Sequence, residues 1–291
     1  MDFRTDLALE RRDLLGAKST DGIYSESEIN DNVRVTRIRV QSDEAEKQLL
    51  KPKGKYVTIE VPAFSDDSEI FDGRLDVLTK EIELLLPKRG TVLVVGLGNE
   101  LITPDALGPK VASSVLATRH ISKELIRTMG LEKLRCVAVI APGVLGRTGI
   151  ETGEIVRGVA DRIKPSAVIT VDALASRSIK RLGSTIQICD TGISPGSGVG
   201  NARKRLDKST LGVKVISIGV PTVVDAATLT YDFTDKEKSQ SVFVLPESEN
   251  MMVTPKEIDL LIDRASKLVS MAINRALQTT LSTEDILSLV S

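Results

Sequence analysis

Two aspartates in this chain stand where a carboxylate could move protons. Asp105 follows Val94-Val95-Gly96-Leu97-Gly98-Asn99-Glu100-Leu101-Ile102-Thr103-Pro104, a strand-like run that passes through a glycine-rich turn into a helix. Asp172 follows the apolar run Ile169-Thr170-Val171 and precedes Ala173-Leu174-Ala175-Ser176-Arg177. Open α/β folds hold their ligands outside the carboxyl ends of the strands, so both acids are expected at one edge of a sheet. Two carboxylates held close cannot both ionise cheaply; one serves as base on a water and the other, protonated, as acid on an amide. Each aspartate also has a purely structural reading. Asp105, in the first turn of a helix capped by Thr103 and opened by Pro104, would offset the helix dipole by about 0.3–1 kcal/mol. Asp172 would cap the next element or pair with Arg177.

Other chemistries are narrowed by what the chain lacks. Its one histidine, His120, rules out a two-His zinc motif, and its two cysteines rule out a four-Cys zinc site. A Ser-His-Asp triad would have to use His120, which ends the apolar run Val111 to His120 and is read as structural. Ser176, Ser178 and Lys180 miss the Ser-x-x-Lys spacing. The dinucleotide fingerprint fails because Leu101 stands where the third glycine belongs, and no Gly-Lys-Ser/Thr occurs to make a P-loop. Two further glycine-rich stretches, Pro142 to Thr152 and Asp190 to Lys204, are expected at the same sheet edge. In the second, Gly196, Gly198 and Gly200 free the backbone for close approach to a partner. That loop suits a substrate, a phosphate group or nothing but solvent. Asn99, Glu100 and Arg177 are candidate site-lining residues through their nearness to the two acids.

The centre of the chain, which must position these residues, alternates strand and helix. This pattern predicts an α/β fold, a mostly parallel twisted sheet with helices on both faces. Strands are expected at Thr91 to Val95, Arg135 to Ile140, Ala167 to Val171, Thr185 to Cys189 and Val213 to Ile218. Helices are expected from the Ser65-Asp66-Asp67 cap to Leu86, and at Pro104 to Thr118, Glu151 to Ile163, around Pro221 to Leu229, and Pro255 to Leu277. The last carries a capping box of Thr254 and Glu257. A short helix is expected over Ser282 to Val290. Before the strand at Tyr56 to Val61, residues 7–55 read as a polar peripheral element with one β-like piece, Val33 to Val40. Residues 56–291 form the main domain, with a loop at 232–250.

Lys plus Arg (39) balance Asp plus Glu (40), which argues against a dedicated nucleic-acid binder. Cys136 and Cys189 lie in apolar runs and read as small hydrophobes in a reducing compartment. The N-terminus is charged from its second residue, unlike a secretory signal, and no window approaches the roughly 20 apolar residues of a membrane span.

Taken together, several strings resemble the germination proteases of spore-forming bacteria. They are Arg4-Thr5-Asp6-Leu7-Ala8, Val95-Gly96-Leu97-Gly98-Asn99, Thr103 to Pro109, Thr118-Arg119-His120, Pro142-Gly143-Val144, Thr148-Gly149-Ile150-Glu151, Asp172-Ala173-Leu174-Ala175, Pro195 to Asn201, Gly219 to Ala226 and Met252 to Glu257. The resemblance implies an endopeptidase of the cytoplasm of the forespore or spore core, made as a zymogen, assembled as a homotetramer, and acting on small acid-soluble spore proteins. It implies a core similar to the hydrogenase-maturation endopeptidases, with acids at the places of Asp105 and Asp172. In those relatives a histidine joins the acids around nickel; no histidine completes such a set here, and no metal or other cofactor is expected. Because the family cuts after an acidic residue and before a hydrophobic residue followed by alanine, the resemblance points to a pro-peptide of residues 1–6, removed between Asp6 and Leu7. The competing classes are a non-enzymatic module binding a phosphorylated ligand through Gly196 to Gly200, and a divalent-metal site on the same two acids.

Overall fold

The computed structural model describes residues 5–16, 21–30, 33–66, 71–128, 133–196, 204–226, 228–229 and 251–290. Nine strands form one sheet: β1 (Ile23–Asn30), β2 (Val33–Val40), β3 (Gly54–Glu60), β4 (Val92–Gly96), β5 (Val137–Ile140), β6 (Ala167–Ser176), β7 (Thr185–Cys189), β8 (Lys214–Asp225) and β9 (Met252–Val253). Their order across the sheet is β1-β2-β3-β7-β8-β6-β4-β5, with β9 paired to β8. The helices that matter below are α1 (Ala8–Leu15), α2 (Asp43–Leu49), α3 (Gly73–Leu85), α4 (Leu107–Ser113), and the long helix Ile258–Leu277.

The strands of the centre are apolar on both sides because both faces are covered. Val92, Val94, Ile169, Val171, Ile216 and Ile218 pack with α3, α4 and the long helix. The alternate residues Leu93, Val95, Val168 and Val215 pack on the other face with Val156 and Ala160 of the helix Thr152–Ile163. A third cluster joins Ile38, Val40, Tyr56 and Cys189 to α1 and α2.

The sheet is mixed, not mostly parallel as the alternation suggested. Only β4–β5, β4–β6 and β6–β8 pair in parallel. The pairs β1–β2, β2–β3, β3–β7, β7–β8 and β8–β9 are antiparallel. The reason lies in the connections. Residues 177–184 between β6 and β7 are too few for the helical crossover that a parallel return needs, so β7 comes back antiparallel. The antiparallel strands β1 to β3 then extend that edge. Residues 7–55 therefore supply α1, β1 and α2 as well as β2, the one strand expected there.

Several element boundaries differ from expectation. Pro221 to Asp225 continue β8, because Val220, Thr222, Val223 and Val224 favour extended backbone and all of these but Thr222, which sits at a register shift, pair with β6 or β9; helical backbone begins only at Ala226. The helix expected over Pro104 to Thr118 is a 3-10 turn at Thr103–Asp105 followed by α4, which stops at Ser113. It stops because Asn274 of the long helix takes over the backbone beyond it. Asn274 Nδ2 donates to the Ser114 carbonyl at 2.9 Å, and Leu116 N–H donates to Asn274 Oδ1 at 2.8 Å. His120 therefore lies in an exposed turn, not on a packed helix. α3 starts at Gly73 with Asp72 as its cap, and the long helix starts at Ile258 without a capping box. Thr254 Oγ1 instead donates to the Thr222 carbonyl at 2.9 Å. The loop expected at 232–250 lies outside the described residues. None of the described helices is long and apolar enough to cross a membrane.

Candidate active site

The corner that carries Asp105 is built by glycines. β4 ends its pairing with β6 at Gly96–Val171, and Leu97 N–H adds one more bond to the Val171 carbonyl at 2.8 Å. Beyond that point the chain turns back over itself. A Cβ on Gly108 would stand 2.1 Å from the Leu97 carbonyl oxygen, and one on Gly98, at φ +113°, 2.1 Å from that of Asp105. These glycines are thus needed for close backbone approach, as is Gly96, where a Cβ would stand 2.1 Å from the Gly108 carbonyl oxygen; in Gly96 and Gly98 this is the physical role behind what looked like half a dinucleotide fingerprint. Asp105 lies at the end of the 3-10 turn, half-buried, and its Oδ2 accepts the Asn99 N–H at 2.8 Å.

Asp172 is the first residue of β6 beyond the end of its pairing with β4, while β6 itself runs on beside β8 to Ser176. The acid is therefore set inside a longer strand than expected, at the step where one neighbour stops and a cavity opens. It is 6% exposed. Burial raises its pKa well above the ordinary carboxylate value, and the charges of Asp105 and then Asp6 push the same way. Its Oδ1 accepts the Ala173 N–H at 3.0 Å. A neutral, proton-bearing carboxyl is the form this environment favours.

Asp105 and Asp172 line one cavity of about 350 Å³. Its walls include Gly143 and Val144 after β5, Ile193 to Gly196 after β7, and Thr222 and Val223 of β8. The glycine-rich stretches expected at this edge do meet there. Asp6 also lines the cavity. Its N–H donates to the Ala175 carbonyl at 2.9 Å, and Ala175 N–H donates to Asp6 Oδ2 at 2.9 Å, so the N-terminal segment lies along β6 next to Asp172.

The segment is held from several sides. Lys51 Nζ donates to the Asp6 carbonyl at 2.8 Å, and Gln187 Nε2 donates to the same oxygen at 3.0 Å. Gln187 Oε1 accepts the Ala8 N–H at 2.7 Å. Leu7 is fully buried. Buried Glu10 accepts the Thr5 hydroxyl and the backbone N–H groups of Arg177 and Ser178 at 2.7 and 3.0 Å.

Of the other residues expected at the site, Asn99 acts through its backbone N–H on Asp105. Gly196 lines the cavity; Gly198 and Gly200 lie outside the described residues. Glu100 is exposed, pairs with Arg147 at 3.0 Å and does not line the cavity. Arg177 is not among the cavity's lining residues; its backbone holds Glu10 instead. Among the described residues, no cluster of three or more His, Cys, Asp or Glu side chains is arranged to hold a metal ion. Sequence reasoning missed Lys51 and Gln187. Gln187 did carry a signal: a polar side chain in the buried strand Thr185-Ile186-Gln187-Ile188-Cys189 must find partners.

The family model of the germination proteases matches residues 5–237, which takes in this entire corner. The chain belongs to the germination protease family. As a member it is a peptidase. Among its relatives, a germination protease of Caldanaerobacter subterraneus subsp. tengcongensis is 43% identical over 98% of this chain and 97% of its own length. One from Clostridium perfringens strain 13 is 42% identical over 98% of each, and one from Bacillus licheniformis 37% identical over 97% and 95%. Among solved structures, a [NiFe] hydrogenase maturation protease, HycI, of Thermococcus kodakarensis matches 68% of this chain and 98% of its own, at 21% identity and a TM-score of 0.39.

Proposed function

We propose that the chain is an endopeptidase whose catalytic pair is Asp105 and Asp172, and that it processes itself between Asp6 and Leu7. The observation that carries this reading is that buried Asp172, whose pKa burial raises, shares one cavity with the less buried Asp105 and with Asp6, the residue before the bond to be cut. Asp105 acts as the ionised base and Asp172 as the acid. A water gives a proton to Asp105 as its oxygen adds to the carbonyl carbon. The carbon–nitrogen bond then breaks as the amide nitrogen takes the proton of Asp172, leaving a new carboxylic acid, which gives up its proton to solvent, and a new amine. The two acids have then exchanged protonation states, and proton exchange with solvent resets them.

Residues 1–6 are then the pro-peptide of a zymogen, of which Met1 to Arg4 lie outside the described residues. The substrates are small acid-soluble spore proteins in the spore core, cut after an acidic residue and before a hydrophobic residue and alanine, and the working form is a homotetramer. The test is a full-chain assay with a synthetic peptide containing Asp-Leu-Ala, with and without a chelator, read by mass spectrometry. Cleavage after Asp, unchanged by chelation, and a new N-terminus at Leu7 are expected. Loss of activity on chelation would replace the metal-free mechanism by a metal-assisted one. A new N-terminus at any other residue would reject the Asp6–Leu7 site.

A further inference from the structure

Asp6 lines two cavities, and its two polar ends face different ones. The first holds Asp105 and Asp172. The second, also about 350 Å³, is lined by Lys51, Gln187, Tyr56 and Arg205 among others. The carbonyl oxygen of Asp6 receives both of its side-chain donors, Lys51 Nζ at 2.8 Å and Gln187 Nε2 at 3.0 Å, from residues of that second cavity. The same Gln187 amide accepts the Ala8 N–H at 2.7 Å, so one side chain spans the backbone on both sides of the Asp6–Leu7 bond. Gln187 is itself 7% exposed and fixed on β7 between β3 and β8.

We infer that Lys51 and Gln187 are further catalytic residues, a donor pair that stabilises the oxyanion formed on the carbonyl oxygen of the scissile bond. The inference rests on the Asp105–Asp172 reading and adds what that reading lacks. When water adds to the Asp6 carbonyl carbon, the π electrons of the C=O bond move onto oxygen. The charge develops on an oxygen toward which Lys51 Nζ and the Gln187 amide N–H already point, at 2.8 and 3.0 Å. When the bond to the Leu7 nitrogen breaks, the pair returns to form the C=O of the new Asp6 carboxyl group. Donors and acids address the scissile group from different cavities, so the group that holds charge does not compete with the groups that move protons. Buried donors placed in advance are worth more here than in water, because nothing has to reorganise as the charge appears.

The alternative is that the pair only tethers the N-terminal segment, and the test separates the two. In the full chain, Lys51→Met removes one donor. Gln187→Glu keeps the oxygen that receives the Ala8 N–H and removes the other donor. Lys51→Arg restores a cationic donor. The first-order rate of appearance of the Leu7 N-terminus is followed by mass spectrometry, with amide exchange at Ala8 reporting whether the segment stays docked. Each donor-removing variant is expected to process about 10²–10³-fold more slowly with Ala8 protection retained, and Lys51→Arg to recover part of the rate. A wild-type rate in either variant, with Asp105→Asn inactive, overturns the donor pair and leaves the acid pair standing. Slow processing accompanied by loss of Ala8 protection also overturns it, in favour of tethering. Wild-type processing by Asp105→Asn would instead sink the acid pair, and this inference with it.

Discussion

At the scale of single residues, the strongest statement concerns Asp172. Its folded pKa lies above the ordinary carboxylate value of about 3.9, first because it is buried and then because Asp105 and Asp6 repel its charge. Folding therefore takes up a proton at Asp172 between the unfolded and folded values. The stability tied to the neutral carboxyl is complete below about pH 4 and is lost as pH rises through the folded value. Asp172→Asn, which removes the buried charge while keeping the shape, should raise the melting temperature, and the gain should grow with pH. Thermal melts at pH 5 and pH 8 check this; a difference that does not change with pH would contradict the assignment. Peptide cleavage by the wild type should fall over the same rise in pH, since the acid form is consumed. His120 is the contrasting case. It is exposed and outside the cavity, so His120→Ala should leave stability within about 0.5 kcal/mol and cleavage unchanged. This replaces the packing role its apolar neighbours suggested.

At the scale of elements, the β4–α4 corner is what turns two ordinary aspartates into neighbours. A Cβ at Gly98 would meet the Asp105 carbonyl oxygen at 2.1 Å in a backbone conformation that disfavours side chains. Gly98→Ala should therefore displace Asp105, and a displacement of about 1 Å at a catalytic group costs on the order of 10²-fold in rate. Asn274 is the matching control on the far side of α4. Asn274→Ala leaves the Ser114 carbonyl and Leu116 N–H without their partner and should cost about 1–3 kcal/mol, with cleavage by the folded protein unchanged. Urea titration and a peptide assay on both variants separate the two effects; near-wild-type turnover in Gly98→Ala would refute the role given to the corner.

The same elements explain what was legible beforehand. The central strands and their carboxyl-edge loops could be read because buried strands are uniformly apolar and their loops are marked by Gly and Pro. The ends of α4 and β8 could not, because side chains distant in sequence set them: Asn274 captures one, and β9 extends the other. The direction of β7 depended on counting the residues of its return. β1, α1 and α2 stayed hidden because a charged segment such as Ile23-Tyr24-Ser25-Glu26-Ser27-Glu28-Ile29, exposed from Tyr24 to Ile29, has no buried face to mark it, and only its pairing with β2 makes it a strand. The resemblance to the germination proteases, by contrast, was fully legible, since it rests on long ordered strings and not on periodicity.

At the scale of the whole molecule, the sheet brings three separate parts of the chain to one cavity: the N-terminal segment, the β4–α4 corner and β6 with the loops beside it. A folded chain thus holds Asp6 in the same cavity as Asp105 and Asp172, the arrangement that the proposed self-processing requires. The proposed homotetramer belongs to this scale: sedimentation velocity should give a mass four times that of one chain, and a monomer at assay concentrations would reject it. The central claim is that Asp105 and Asp172 work as one unit. Its most direct measurement is the self-processing rate of Asp105→Asn, Asp172→Asn and the double variant beside the wild type, with folding verified by melting curves. A positioned acid or base contributes about 10²–10⁴ in rate, so each single variant should lose that much. Members of one catalytic unit are strongly non-additive, so the double variant should be scarcely slower than the slower single one. Near-wild-type processing by either folded single variant would contradict the claim.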